Sequence, residues 1–188
     1  MSEPSISRIR DDEFAVSPNR LHIGHTNAEV AYLMDVIESE KPRGFIEVGV
    51  HVGGLADVLI PKVENYLGLE INSGVVDSSL QHRIASNPNA SFWFGDAWQA
   101  EALVHCAKWM QRKSPVFIYC DGGDKTLELN LYSECARAGD LIGVHDYGVY
   151  EGAEIEPEYA DNLMEERNFM KYRPSFRPKL IRIEIWRG

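Results

Sequence analysis

Long apolar runs are missing from this 188-residue chain, and no stretch of it reaches the length needed to cross a bilayer. The first residues, MSEPSISRIRDDEF, also lack the apolar core of a secretion signal. Cysteine is scarce, and Cys106, Cys120 and Cys135 show no C-x-x-C spacing. They read as reduced core residues, and a cytoplasmic location is the expectation. Basic residues are outnumbered, 19 against 29 acidic, for a formal net charge of −10. Such a balance argues against non-specific binding to nucleic acid, which requires clustered Lys and Arg to neutralise phosphates. With neither a membrane nor a nucleic acid as the expected partner, a small molecule is. Internal repeats and a domain linker are absent too, so residues 1–188 are expected to form a single domain.

What is present is patterned. Residues 1–20 are polar and aperiodic and read as a flexible N-terminal arm. Thr26 and Glu29 form a capping box, and Val30, Leu33, Met34 and Ile37 follow on one helical face, which Pro42 ends. Strands and helices then alternate. Strands are expected over 44–50, 66–71, 91–96, 116–122 and 140–147, with helices over 55–63, 74–86 and 97–112. A further helix presents Leu127, Leu131 and Cys135 and stops at Gly139. This predicts an α/β fold, a doubly wound, mostly parallel sheet with helices on both faces. Residues 151–166 carry seven acids and no Lys or Arg, a solvated helix or loop. Ile181, Ile183 and Ile185 then alternate with Arg182, Glu184 and Trp186. That alternation predicts a half-exposed antiparallel strand at the sheet edge, where it would be free to pair subunits into a homo-oligomer.

Ligands of such sheets sit beyond the carboxyl ends of the strands. The first strand ends in Glu47-x-Gly49-x-x-x-Gly53-Gly54, a glycine turn opening a helix. A P-loop would need Lys and Ser or Thr where Leu55 and Ala56 stand, and the G-x-x-x-G-G spacing disfavours a pyrophosphate. A nucleoside without phosphates is left. The second strand ends in Glu70, placed to accept from two ribose hydroxyls. The third ends in Asp96, where an adenine amino group can be read or the next helix capped. His51 lies inside the turn, for cofactor contact or helix start, and Trp98 is placed for stacking or core packing. Tyr147 and Tyr150 are candidates to line a substrate pocket.

EVGVHVGG, LGLEI, GDA, VFIYCDGG and LIGVHDYG, in this order over about 44–148, resemble the class I methyltransferases dependent on S-adenosylmethionine. The resemblance implies a Rossmann-like, seven-stranded sheet whose last strand is antiparallel, with 44–148 as the cofactor-binding core. It implies cofactor contacts from Glu47, Gly49, Gly53, Glu70 and Asp96, with His51, Ala97 and Asp121 as further candidates. YCDGGDK and VHDYG narrow it to the metal-dependent O-methyltransferases of small molecules. Within that group Asp121, His145 and Asp146 take the positions that hold magnesium. His145 stands where an Asp or Glu is usual, which suits manganese or zinc better. Capping of the following helices is the competing role for both aspartates. Asp124 stands where the group often has a His or Lys, so Lys125 and His145 become the candidates for the catalytic base. The expected activity is transfer of a methyl group to a hydroxyl of a small-molecule acceptor. A catalytically inactive cofactor-binding protein of the same fold is the alternative, and a nicotinamide-dependent reductase is disfavoured.

Overall fold

The computed structural model describes residues 13–148, 153–174, 177 and 181–188. Two short strands, β1 (Phe14–Val16) and β2 (His22–Thr26), form an antiparallel hairpin. Residues 13–20 are therefore structured where an arm was expected, because Ala15 and Ile23 bury their side chains. Asn19 ties the hairpin down by donating to Asp57 at 2.8 and 3.0 Å. The remainder of the expected arm, residues 1–12, lies outside the described residues.

Helix α1 (Asn27–Glu40) starts on the capping box of Thr26 and Glu29. Leu33 and Ile37 lie on its buried face with Tyr32 and Val36, and Val30 and Met34 pack half-buried beside them. The alternation that follows is β3 (Gly44–Val48), α2 (Gly54–Leu59), β4 (Asn65–Glu70), α3 (Ser78–Ala85) and β5 (Ala90–Phe94). Then come α4 (Ala100–Met110), β6 (Val116–Cys120), α5 (Lys125–Ser133) and β7 (Leu141–Val144). Helix α6 (Pro157–Glu166), β8 (Met170–Lys171) and β9 (Glu184–Arg187) complete the described elements. The acidic stretch thus supplies α6, which buries Ala160 and Met164 and leaves its acids outward.

The sheet runs β5-β4-β3-β6-β7-β9-β8, parallel except for β9. Its strand order switches between β3 and β6, whose carboxyl ends open a crevice. One face packs on α1, α2 and α3 through Leu33, Leu55 and Leu80, the other on α4, α5 and α6 through Cys106, Leu129 and Met164. No helix among the described residues is long and apolar enough to span a membrane. Cys106 and Cys120 are buried, Cys135 is half-buried, and all three are free thiols.

Two expectations are corrected. Helix α5 buries Lys125, Glu128, Leu129 and Tyr132, with Leu131 only half-buried against the core, and it ends at Ser133, before Cys135. Strand β9 is antiparallel as expected, but it is not the edge: β8 covers it. Its two faces are both buried, Ile185 in one core and Trp186 in the other. Glu184 is buried there because Arg177 holds it with contacts of 3.0 and 3.1 Å. A paired charge in the interior looks, in sequence, like a solvent-facing one.

Candidate functional site

The crevice at the sheet's switch point is a cleft of about 460 Å³. Gly49 makes the close approach there possible. Its φ of +87° belongs to glycine, and a Cβ would strike the backbone of Asp121 and Gly122. The turns after β3 and β6 therefore touch. Of the expected cofactor residues, Gly49, His51, Glu70, Asp96, Ala97 and Asp121 line this cleft. Gly53 does not: at φ +90° it packs its α-carbon against Leu80, where a side chain would collide, so its role is in the fold. Glu47 is withdrawn as well, into a smaller cavity of about 190 Å³ that it shares with His25, Gly49, His51 and Asp121. Gly49, His51 and Asp121 line both cavities.

Each lining residue is positioned by a neighbour. Glu70 accepts from the backbone N–H of His51 at 2.8 Å and of Asn72 at 3.0 Å, so it fixes the glycine turn. His51 sits in that turn at φ 52°, ahead of Gly53, which caps α2. Asp96 accepts from the Trp98 N–H at 2.9 Å and from the Gln99 side chain, shaping the turn before α4, whose N-cap is Gln99. Trp98 is 40% exposed and Ile71 71% exposed, both on the cleft walls, so neither is core. Glu128, which sequence reasoning missed, reaches back from α5 and accepts from the Gly122 N–H at 2.9 Å. Burial pushes its carboxyl up to about 7 despite that bond.

Burial likewise pushes Glu47 up to about 8, against the Tyr66 hydroxyl that donates to it at 2.5 Å. A raised folded-state value means that the folded chain holds a proton that the unfolded chain releases between about 4.5 and 8. Glu47 thus makes stability fall as pH rises through that window. Replacing it by glutamine, which cannot ionise, is expected to flatten the slope. Urea unfolding near pH 5 and near pH 8 measures this, and an unchanged slope contradicts it.

Asp121, His145 and Asp146 come together as expected, at the ends of β6 and β7. His145 Nδ1 lies 3.1 Å from Asp121 Oδ1 and 3.4 Å from Asp146 Oδ2. Asp124, not Asp121, caps α5, by accepting from Leu127 N–H at 2.9 Å. Lys125 Nζ stands 3.8 Å from Asp121, 3.7 Å from Asp146 and 2.8 Å from Glu154, and Arg182 reaches Asp146 Oδ1 at 3.0 Å. Behind them Glu29, fully buried, accepts from the Arg182 Nε at 3.0 Å and lies 3.5 Å from His145 Nε2. Tyr147 is held away from the cleft by Asp161 and Lys171, and Tyr150 lies outside the described residues.

The two residues expected to take a proton are both held charged. Burial disfavours the His145 cation, but the Asp121, Asp146 and Glu29 carboxylates outweigh it and raise the imidazole to about 11. Burial is outweighed at Lys125 too, by Glu154, Asp121 and Asp146, so its value is raised. Both shifts favour the protonated form, which works against a general base near neutral pH. The neutral imidazole is His25, which sequence reasoning missed. Burial lowers it to about 4; its Nε2 lies 2.7 Å from the Tyr119 hydroxyl and 3.6 Å from Asp121 Oδ2. The one signal for it was the alternation of HIGHT, whose buried positions are Ile23 and His25.

The donor set does not fit a metal as it stands. Among the described residues the converging ligand atoms belong to His25, Asp121 and His145. The two imidazoles are stacked, centroids 4.1 Å apart and tilted by 28°. Lone pairs lie in the ring planes, so near-parallel rings at that spacing cannot both point at one ion without turning. Asp146 is engaged by Lys125, Arg182 and the His145 cation instead.

No family model matches the chain, and no curated protein does. Solved structures do. CmcI, as an apo-structure, shares 13% identity with a TM-score of 0.64, over 91% of this chain and 75% of that one. An S-adenosylmethionine-dependent methyltransferase of Clostridium acetobutylicum shares 7% identity with a TM-score of 0.58, covering 85% and 89%. DesVI of Streptomyces venezuelae shares 10% identity with a TM-score of 0.58, covering 85% and 90%. The chain has the class I methyltransferase fold. At such identities the likeness carries the fold and no further.

Proposed function

We propose that the protein binds S-adenosylmethionine and transfers its methyl group to a hydroxyl of a small molecule. The observation that carries this reading is the pair of neighbouring cavities that share Gly49, His51 and Asp121 in their walls, at the switch point of a methyltransferase-type sheet. The larger one suits a nucleoside: Glu70 accepts from ribose hydroxyls, Asp96 reads the adenine amino group, and Ile71 and Trp98 offer apolar walls to the base. The smaller one, beside Glu47 and His25, suits the amino-acid end. When bound, the cofactor supplies a sulfonium methyl, which bonds to the acceptor oxygen as its C–S bond breaks and the electron pair stays on sulfur.

The chain's part is mostly orientation. Holding two reactants together contributes roughly 7–11 kcal/mol, whereas a general base contributes about 10²–10⁴-fold in rate. The cationic state of Lys125 and His145 therefore leaves the proposal standing. Asp121, which lines both cavities, is the carboxylate placed to receive the acceptor's proton. The test is transfer of a labelled methyl group from S-adenosylmethionine to a panel of hydroxylated small molecules. Label on an acceptor, matched by S-adenosylhomocysteine, is the expected result. Tight cofactor binding with no label on any acceptor favours the inactive binding protein.

A further inference from the structure

The resemblance calls for a divalent cation held by Asp121, His145 and Asp146, and the structure sets a lysine cation against the two aspartates. Lys125 Nζ lies 3.8 Å from Asp121 Oδ1 and 3.7 Å from Asp146 Oδ2. It is anchored from behind by the Gly122 carbonyl at 2.8 Å and from the front by Glu154 Oε2 at 2.8 Å. The residue is only 6% exposed, so the ammonium is a built part of the site and not a passing surface charge. We propose that Lys125 replaces the metal: its ammonium occupies the divalent-cation position between the two carboxylates, and the protein works without a metal.

Sequence explains how the nitrogen gets there. Asp124 caps α5 and so fixes Lys125 at the helix's first position. From there the four-carbon stem runs back under the β6 turn to the Gly122 carbonyl. Asp121 Oδ1 and Asp146 Oδ2 also lie 3.1 and 3.4 Å from His145 Nδ1, and Asp146 Oδ1 is 3.0 Å from Arg182 Nη1. A dication entering this site would have to expel an ammonium already neutralising its ligands, with little to gain in charge balance. Lys125 is in this account a positioning residue, holding Asp121 and Asp146 apart from one another's repulsion. The inference rests on the methyltransferase reading only in taking Asp121 and Asp146 as the acceptor end of the cleft.

Manganese uptake tests it, read from the paramagnetic resonance of free Mn²⁺ at millimolar concentration. The wild-type protein is expected to take up none, Lys125→Arg none, and Lys125→Ala one ion per chain, because the ion can then displace the His145 proton and bind among Asp121, His145 and Asp146. A purely structural lysine would not confer metal binding on its loss. If Lys125→Ala does not fold, Lys125→Met keeps the apolar stem and carries the same expectation. Stoichiometric uptake by the wild type overturns the inference, and so does a folded Lys125→Ala that takes up none. Either result leaves methyl transfer standing, which fails separately if S-adenosylhomocysteine does not bind.

Discussion

Glu29→Ala should lower the melting temperature by roughly 6–20 °C. Glu29 is fully buried and serves two ends of the chain at once. Its Oε2 accepts from the Thr26 N–H at 2.8 Å, completing the capping box of α1. Its Oε1 accepts from both the backbone N–H and the Nε of Arg182, each at 3.0 Å. Removing one partner of such a buried pair costs about 3–5 kcal/mol, because the other is left uncompensated. For a domain of this size each kcal/mol is worth about 2–4 °C. Burial alone would push the Glu29 carboxyl up, but the His145 cation 3.5 Å away and the hydrogen bonds from Arg182 and Thr26 outweigh it and hold it well below the usual range. A depressed folded-state value means that this stabilisation is present above the ordinary value near 4.5 and is lost as pH falls below it. The gap between wild type and variant should therefore close in acid. A melting-temperature loss of a degree or two at neutral pH would show that Glu29 is not the tie it is drawn as.

Glu70→Ala is expected to weaken binding of S-adenosylhomocysteine by roughly 10–100-fold. A hydrogen bond to a charged group contributes about 1.5–3 kcal/mol, and each 1.4 kcal/mol is tenfold in Kd. The same substitution removes the acceptor of the His51 and Asn72 N–H groups, so the glycine turn loosens as well. Glu70→Gln keeps an acceptor on the turn and gives up the charge, and its loss should fall between wild type and alanine. Calorimetric titration of the two variants measures both. A folded alanine variant that binds within twofold of wild type removes the ribose role from Glu70.

Local signals were legible and distant ones were not. The Thr26–Glu29 box lies within one turn and was readable, whereas the tie of Glu29 to Arg182 spans 153 residues of sequence. Strand ends were readable because a parallel sheet puts its chemistry there, which brought Glu70, Asp96, Asp121, His145 and Asp146 to the right end of the fold. The protonation states were not readable: His145 was a candidate base until three carboxylates were found around it. His25 was hidden by its place in a hairpin too short to stand out from its flanks. Glu128 and Glu184 look like surface acids, and only their partners, the Gly122 N–H and Arg177, reveal why they are inside. Strand β8, two residues long, carries no periodicity to detect.

An adenosyl amino acid is expected to occupy the two neighbouring cavities. Thermal unfolding with S-adenosylhomocysteine, against NADH as control, tests it most directly. At a hundredfold excess over Kd a ligand stabilises by about 2.7 kcal/mol. For a chain of this length that is a rise of roughly 5–10 °C. The account predicts that rise with S-adenosylhomocysteine and none with NADH. No rise with S-adenosylhomocysteine, or a larger one with NADH, would contradict it.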